Sequence, residues 1–277
     1  MRKAAQEAFA LEFIHEIRRQ DPMMGGKKLW RMYRKRVNGK CQLGRDRFEE
    51  LISCHHLNVR IRHLKPRTTD SRHGLPVFPN LVVSFIPTSV NQLWVSDITY
   101  IPVWLDENNY TFCYLSLITD AYSHEIVGWS VGATLEAKYP MEALEMAFGR
   151  LVDIDPEITE RPIHHSDRGV QYASREYVEM LKSNNIRISM TETGNPKDNA
   201  MAERINSTMK NELLKGVAFH SVSEVRETLE TAVKFYNTMR PHMSLDWMTP
   251  AEAAKCNGEI KKWWKSYRDE AIKKIPA

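Results

Sequence analysis

Apolar residues in the first 60 positions recur at helical spacing. The first predicted helix carries four of them, three apart: Ala8, Leu11, Ile14 and Ile17. Asp21-Pro22 ends that helix. A second helix is predicted from Lys27 to about Val37 and a third from about Gly44 to His56, with the turn signal Asn38-Gly39 between them.

The second and third predicted helices each have an apolar face and a basic face. Leu29, Met32 and Tyr33 face inward in the second, and Phe48 and Leu51 in the third. Two short helices joined by a glycine-containing turn are typical of a helix-turn-helix DNA-binding unit, although a plain helical hairpin has the same pattern. The basic residues that we expect to contact DNA are Lys27, Lys28, Arg45 and Arg47.

Residues 62–88 are rich in proline and lack periodicity, which predicts a linker. Beyond it, strands are predicted at 93–101, 110–119, 125–131, 162–165 and 186–190. Helices are predicted at 137–152, 174–184, 199–214 and 222–239. Three consecutive strands followed by alternating helices and strands predict an α/β fold with a mixed five-stranded sheet flanked by helices.

Composition narrows the class of protein. Hydrophobic residues make up 42% and charged residues 27%, which is typical of a globular chain. No run of 18 apolar residues predicts a membrane span, and the charged start does not resemble a secretory signal. The four cysteines are widely spaced, so we expect neither a disulfide framework nor a zinc knuckle, and we expect a reducing, cytoplasmic location.

The net charge of +4 is unevenly distributed. Residues 1–80 contain 18 Lys and Arg against 8 Asp and Glu, whereas the remainder contains 21 against 27. A basic end joined to a mildly acidic body suggests a segment that binds a polyanion such as DNA. A solvated basic surface would have the same composition.

Three acidic residues occupy unusual positions. Asp97 interrupts an apolar strand, where a charge is costly unless it is paired or binds a metal. Asp167 follows the strand at 162–165, and Glu203 lies in the first turns of a predicted helix. Taken singly, Asp167 is also a normal turn residue and Glu203 a normal partner of a helix N-terminus.

Together, the three acids are able to converge at one end of the sheet. Three carboxylates repel one another unless divalent cations lie between them, and Mg²⁺ prefers such oxygen ligands. Two ions about 3.5–4 Å apart support an in-line phosphoryl displacement. A basic segment and a phosphodiester-cleaving site imply the same polyanionic substrate.

Four sequence motifs resemble one known family. Between Asp167 and Glu203 lie 35 residues, and this Asp, Asp, 35-residue gap, Glu arrangement resembles the DDE transposases and retroviral integrases. The motifs resemble those of the bacterial insertion-sequence-three transposases: WVSDITY at 94–100, HSDRGVQY at 165–172, GNPKDNAMAE at 194–203 and YNTMRPH at 236–242. The resemblance covers about residues 20–253 and implies an RNase-H-like fold preceded by a small all-α helix-turn-helix domain.

The resemblance implies a transposase that cuts DNA at the ends of a mobile element and joins the 3′ hydroxyls to DNA. Asp97, Asp167 and Glu203 would then be catalytic metal ligands for Mg²⁺, with Mn²⁺ as a suitable substitute and two ions as the expected number. Water attacks first and a DNA 3′ oxygen later, so no covalent protein–DNA link is needed. The alternatives are a metal-dependent nuclease that does not join strands and a DNA-binding regulatory protein.

Further candidates for DNA contact lie near the three acids. Lys210 follows Glu203 by seven residues, two helical turns, which predicts the same face, where similar transposases carry a DNA-contacting basic residue. Arg168, Asn199 and Asn206 are the other candidates. For Asn199 the alternative to DNA contact is capping of the helix that follows it. For Lys210 the alternative is an ordinary surface position on a helix.

The predicted organisation is a helix-turn-helix-like region at 1–61, a linker at 62–88, a catalytic core at 89–253 and a helical tail at 254–277. The expected partners are double-stranded DNA, namely the terminal inverted repeats and the target, and further copies of the chain, at least a dimer on DNA. The resemblance adds an upstream-frame helix-turn-helix protein, separate or fused. It also implies a bacterial, nucleoid-associated location with no membrane partner.

Overall fold

The computed structural model describes residues 2–38, 43–59, 74–151, 161–192, 199–264 and 266–272. Residues 62–73 of the predicted linker and the 194–198 part of the Glu203 motif lie outside these ranges. The described part of the linker, residues 74–88, contains neither a helix nor a strand.

One mixed sheet forms the centre of the protein. Its strands are β1 (Leu93–Trp104), β2 (Tyr110–Asp120), β3 (Ile126–Gly132), β4 (Ile163–Ser166) and β5 (Arg187–Met190). Their order is β3-β2-β1-β4-β5; β1, β2 and β3 are antiparallel neighbours, and β4 and β5 run parallel to β1. The predicted five-stranded mixed sheet is confirmed.

Helices flank this sheet. In chain order after β3 they are α4 (Lys138–Phe148), α5 (Val170–Ala173), α6 (Arg175–Ser183), α7 (Ala200–Thr208), α8 (Val222–Thr238), α9 (Pro250–Ala253) and α10 (Tyr267–Ile272). Helix α4 packs so closely on β3 that a Cβ at Gly128 would overlap the carbonyl oxygen of Ala143. Only glycine allows this approach.

The helix predicted at 199–214 is not uniform. It consists of α7 followed by a π-helical turn at Met209–Leu213. A π-turn has a wider repeat than the 3.6 residues that the sequence argument assumes. The predicted common face of Lys210 and Glu203 therefore does not follow from their seven-residue spacing.

Three helices precede the sheet: α1 (Arg2–Arg18), α2 (Gly26–Val37) and α3 (Arg45–Cys54). Tyr33 on α2 is fully buried, and its ring centroid lies 5.1 Å from that of Phe48 and 5.8 Å from that of Phe13. The apolar faces predicted for α2 and α3 are thus the buried ones.

The three N-terminal helices share one hydrophobic core with the sheet. Phe13 and Leu29 belong to the same buried cluster as Ile101 of β1 and Phe235 of α8. This differs from the predicted separation of residues 1–61 from the catalytic core. A unit of about 60 residues buries a smaller fraction of its surface on folding than a larger domain does. Docking on the sheet therefore adds apolar burial that the three helices alone do not reach.

The C-terminal segment is less helical than predicted. Residues 254–264 form no helix in the structure, and α10 is six residues long. Trp263 Nε1 donates a hydrogen bond to Asp246 Oδ1 at 2.7 Å, which holds this segment against the core. Among the described residues, no helix has both the length and the apolar character needed to cross a membrane.

Candidate active site

Strand register brings two of the three predicted acids side by side. In the parallel pair of β1 and β4, Val95 lies opposite His165. Continuing that register by two residues places Asp97, within β1, beside Asp167, just past the end of β4. The adjacency of the two acids therefore follows from the pairing of the two strands.

A sharp backbone turn holds the carboxylate of Asp167. The backbone N–H of Gly169 donates a hydrogen bond to Asp167 Oδ1 at 2.9 Å. A Cβ at Gly169 would lie 2.9 Å from the same oxygen, closer than side-chain carbons approach in proteins. The glycine that follows Asp167 is therefore required by the position of the carboxylate.

Two buried asparagines, one before α7 and one in its second half, fasten this helix to β1. Asn199 Nδ2 donates to the carbonyl oxygen of Ser96 at 2.9 Å, and Asn206 Nδ2 donates to Asp97 Oδ2 at 2.8 Å. Glu203 lies between these residues in the chain, at spacings of four and three that keep all of them on one side of the helix. This face of α7 is directed at the strand that carries Asp97.

The surroundings of Asp97 disfavour its negative charge. Loss of hydration raises the pKa of Asp97 to about 7, and the charges of Asp167 and Glu203 add to the rise. The hydrogen bond from Asn206 acts in the opposite direction. All three predicted acids therefore lie within electrostatic reach of one another.

A divalent cation fits this set of donors. The residues supply carboxylate oxygens, the ligands that Mg²⁺ and Mn²⁺ prefer, and no described Lys or Arg forms an ion pair with Asp97. Within the described ranges, no three His, Cys, Asp or Glu side chains are already arranged to hold a metal ion. Glu203 is exposed on α7.

Asn199 and Asn206 have contacts that the sequence did not predict. Both are buried, and both donate to β1, so their side chains are engaged within the protein. Asn199 precedes α7 but makes no side-chain capping hydrogen bond. Burial favours a positioning role for each over the predicted DNA contact. The Oδ1 atoms of both residues have no hydrogen-bond partner among the described residues.

Arg168 and Lys210, two predicted DNA contacts, have different surroundings. Arg168 Nε donates to the carbonyl oxygen of Thr191 at 2.6 Å, which links the turn after β4 to the end of β5. Lys210 lies in the π-helical turn and is partly exposed; burial lowers its pKa. These observations do not test the predicted contact of either residue with DNA.

Most of the predicted DNA contacts on the N-terminal helices are ion-paired. Lys28 pairs with Glu212 at 3.1 Å and is mostly buried. Arg47 pairs with Glu7 and Glu50, both at 2.7 Å. Arg45 pairs with Asp46 at 3.1 Å and reaches Glu49 at 3.9 Å. Lys27 is exposed.

Sequence reasoning missed a polar network below the acids. The hydroxyl of Ser96 donates to the carbonyl oxygen of Leu117 and lies 2.9 Å from the hydroxyl of Tyr172. Tyr172 is buried and lies on α5, five residues after Asp167. Tyr172 is the last residue of the motif at 165–172, and that position is the sequence signal from which its supporting role could have been predicted.

It also missed a buried ion cluster that joins the N-terminal helices to the core. Glu212 accepts from Lys28 and, at 2.7 Å, from Arg240, and Arg240 lies 3.6 Å from Asp21. Asp21 is fully buried, and loss of hydration raises its pKa to about 8. These residues are far apart in the chain, so no local pattern identifies them.

Known proteins resemble this chain in both sequence and fold. Two family models described as integrase core domains match residues 87–196 and 184–250. The insertion element IS600 31 kDa protein of Shigella sonnei is 36% identical over 221 residues, which are 76% of this chain and 74% of that protein. The transposase for insertion sequence element IS629 of Shigella sonnei is 33% identical, over 83% of this chain and 73% of the transposase.

Two further comparisons agree with these. Transposase InsF for insertion sequence IS3A of Escherichia coli is 35% identical over 65% of this chain and 60% of its own length. A chain of the simian T-cell lymphotropic virus intasome has the same fold, with a TM-score of 0.50 and 18% identity, over 88% of this chain and 77% of that one. The expected integrase-type, RNase-H-like core is confirmed.

Proposed function

This chain belongs to the insertion-sequence-three family of DDE transposases in the retroviral integrase superfamily, and from that premise we propose how its own residues act on DNA. It is a polynucleotidyl transferase: it cuts DNA at the ends of a mobile element and transfers the 3′ hydroxyls to DNA. The observation that carries the residue assignment is the raised pKa of Asp97 beside Asp167 and Glu203.

Asp97, Asp167 and Glu203 would hold divalent cations, which we propose to be two Mg²⁺ ions, replaceable by Mn²⁺. When bound, such ions lower the pKa of an attacking oxygen and stabilise charge on a leaving oxygen. The protein supplies the ligands at one edge of the sheet. Asp97 and Asp167 come from neighbouring strands, and Glu203 comes from the exposed first turn of α7.

The neighbouring residues position these ligands. Asn206 fixes Asp97 Oδ2, and the N–H of Gly169 fixes Asp167 Oδ1, so the two carboxylates keep their orientation before a cation arrives. Preorganised ligands need less rearrangement when the cation binds. Glu203 supplies the third carboxylate from the first turn of α7.

DNA is the substrate. We place Arg168 near the cut because it directly follows Asp167, and Lys210 because similar transposases carry a DNA-contacting basic residue at that place. Lys27, and to a smaller extent the ion-paired Arg45 and Arg47, provide positive potential on the N-terminal helices. Two element ends must be brought together, so the active form is at least a dimer on DNA, assisted by or fused to an upstream-frame helix-turn-helix protein.

The test is strand transfer by the purified full chain, with and without the upstream-frame segment, on DNA that carries the element ends. The parent should cut and join in Mg²⁺ and in Mn²⁺, and Asp97→Asn should do neither while binding DNA as well as the parent. Joining by Asp97→Asn at the parental rate would overturn the assignment. A parent that cuts without joining would be a nuclease, and one that only binds DNA would be a regulatory protein.

A further inference from the structure

A stripe of cations without acidic partners runs along α2. Lys27, Arg31 and Arg34 occupy spacings of four and three, so they share one face of the helix. Within the described ranges, none of the three forms an ion pair with a carboxylate. Lys28, Lys35 and Arg36 on the same helix are paired with Glu212, Glu252 and Glu16. The positive charge of α2 is thus concentrated on one face.

Arg31 and Arg34 line a cleft between α2 and the segment that follows α8. The cleft has a volume of about 770 Å³, and its opposite wall comprises residues between Met239 and Glu252, including Trp247. Its polar lining residues therefore come from the N-terminal helices on one side and from the C-terminal motif on the other.

Aromatic rings, rather than carboxylates, hold the two guanidinium groups. The Arg31 guanidinium lies 4.7 Å from the ring centroid of Trp247 and 5.6 Å from that of Trp30. The Arg34 guanidinium lies 5.1 Å from the Trp30 centroid. Stacking restricts a guanidinium without using its N–H groups, so the donors stay available to an external acceptor.

The acidic residues of the cleft are already engaged. Glu252 pairs with Lys35 at 3.0 Å and accepts a hydrogen bond from the backbone N–H of Thr249 at 2.8 Å. Asp246 accepts from Trp263 Nε1. The charges of Arg31 and Arg34 are therefore not neutralised within the cleft.

We propose that the stripe formed by Lys27, Arg31 and Arg34, with Trp247 supporting Arg31, is a binding site for the phosphate backbone of duplex DNA. This deepens the proposed function, on which it rests. Seven residues of α-helix span about 10.5 Å, and one DNA strand carries one phosphate per roughly 3.4 Å of helix axis, so the stripe spans about three phosphates. Planar guanidiniums with free donors match phosphate oxygens.

The experiment measures binding of the full chain to a fluorescent duplex of arbitrary sequence, by anisotropy, at salt concentrations of about 50–200 mM. Each phosphate contact contributes about 0.9 to the slope of log affinity against log salt. Arg31→Gln and Arg34→Gln should each reduce the slope by about 1, and the double variant by about 2. Arg36→Gln removes the same charge from the same helix but from an ion pair, and it should leave the slope unchanged.

Two further variants keep the test valid if Arg31→Gln folds poorly. Trp247→Leu keeps every charge of the stripe but removes the stacking partner of Arg31, so it should weaken binding while largely preserving the slope. Arg31→Lys should restore the slope but only part of the affinity, because an ammonium group lacks the planar pair of donors. Circular dichroism checks that each variant is folded.

An unchanged slope in a folded double variant would overturn the proposal. If that variant also sediments at a lower mass than the parent, the cleft binds an acidic surface of a second copy instead. Asp97→Asn, assayed in parallel for cleavage, separates this result from the proposed function. Loss of cleavage by Asp97→Asn with an unchanged slope in the stripe variant leaves the transposase assignment standing; cleavage that survives Asp97→Asn removes that assignment, whatever the slope.

Discussion

Asp97 and Asp120 lie on neighbouring antiparallel strands, and burial raises the pKa of both. Their surroundings differ. Asp120 accepts hydrogen bonds from three backbone N–H groups, those of Asn91, Tyr122 and Ser123, and from the Ser123 hydroxyl, all at 2.7–3.1 Å. Asp97 accepts from the amide of Asn206 and is surrounded by two further acids.

The difference separates a structural acid from a proposed metal ligand. The fold itself satisfies Asp120, whose oxygens fix the turn between β2 and β3. At Asp97 the fold places acidic side chains near one another, and under the proposed function an external cation compensates their charge. Buried charges are retained only where something satisfies them, and the two regions differ in whether that partner is inside the chain.

The largest expected effect is on activity at Asp97. Asp97→Asn should lower strand transfer by at least about a thousandfold, because it removes a charged ligand. The same change should leave the thermal midpoint unchanged or raise it, because it also removes repulsion from Asp167 and Glu203. Strand-transfer rates and thermal unfolding without metal check both halves. A lower midpoint would mean that Asp97, like Asp120, is structural.

The converse is expected at Asp120. Asp120→Asn should destabilise the fold by about 2 kcal/mol, because an amide nitrogen would face a backbone N–H and charge-assisted hydrogen bonds would be lost. Urea unfolding measures it. The exposed Glu145→Gln is the control and should change stability by less than about 0.5 kcal/mol. If Asp120→Asn were as stable as the parent but inactive, Asp120 would not be a structural acid, and its contrast with Asp97 would be wrong.

A smaller effect sharpens the comparison by removing the amide donor of Asp97. Asn206→Leu should raise the pKa of Asp97 further, because the hydrogen bond from Asn206 lowers it. The acidic limb of the rate against pH should move to higher pH; a rise of one pKa unit lowers the ionised fraction at pH 7 from about one half to about one tenth, a loss of about fivefold. Asn199→Leu breaks a bond to the backbone of β1 instead, so it should lower the rate without moving the limb.

The smallest effect concerns Asp21, an acid buried beside both an acid and a cation. Its pKa of about 8 is above the ordinary value, so the folded chain holds a proton that the unfolded chain has lost. Stability should therefore fall as pH rises from about 4 to about 8, and level off above. Asp21→Asn does not titrate and should flatten that fall, which raises the thermal midpoint at pH 8 relative to the parent. Thermal unfolding of the parent and the variant across this pH range is the measurement. If stability fell with pH as steeply in the variant as in the parent, a group other than Asp21 would cause the fall.

Local pattern was enough to predict most elements and the core faces. The apolar spacing at Leu29, Met32 and Tyr33 identified the buried side of α2, and the β-forming run around Trp94 identified β1. The position of Asp97 in an apolar strand marked it as unusual from the sequence alone. These signals depend on neighbours within a few residues, and such neighbours are visible in the chain.

The remaining features depend on long-range contacts. Whether a cation is paired is decided by residues distant in sequence, such as Arg47 with Glu7 or Lys28 with Glu212, so charge counting overstated the free charge of the N-terminal helices. The docking of those helices on the core was missed for the same reason. Asn206 was assigned to DNA because the sequence does not reveal that its amide lies 2.8 Å from Asp97.

The π-helical turn at Met209–Leu213 lies between Glu203 and Arg240 in the chain and contains Glu212. In this turn Glu212 accepts hydrogen bonds from Lys28 and Arg240, whereas Glu203 and its two neighbouring asparagines lie just before it, on α7 and at its start. One short stretch of chain thus presents one acid to the N-terminal helices and another toward the strand of Asp97. A substitution that changes the helical repeat of this turn should therefore be felt in both places.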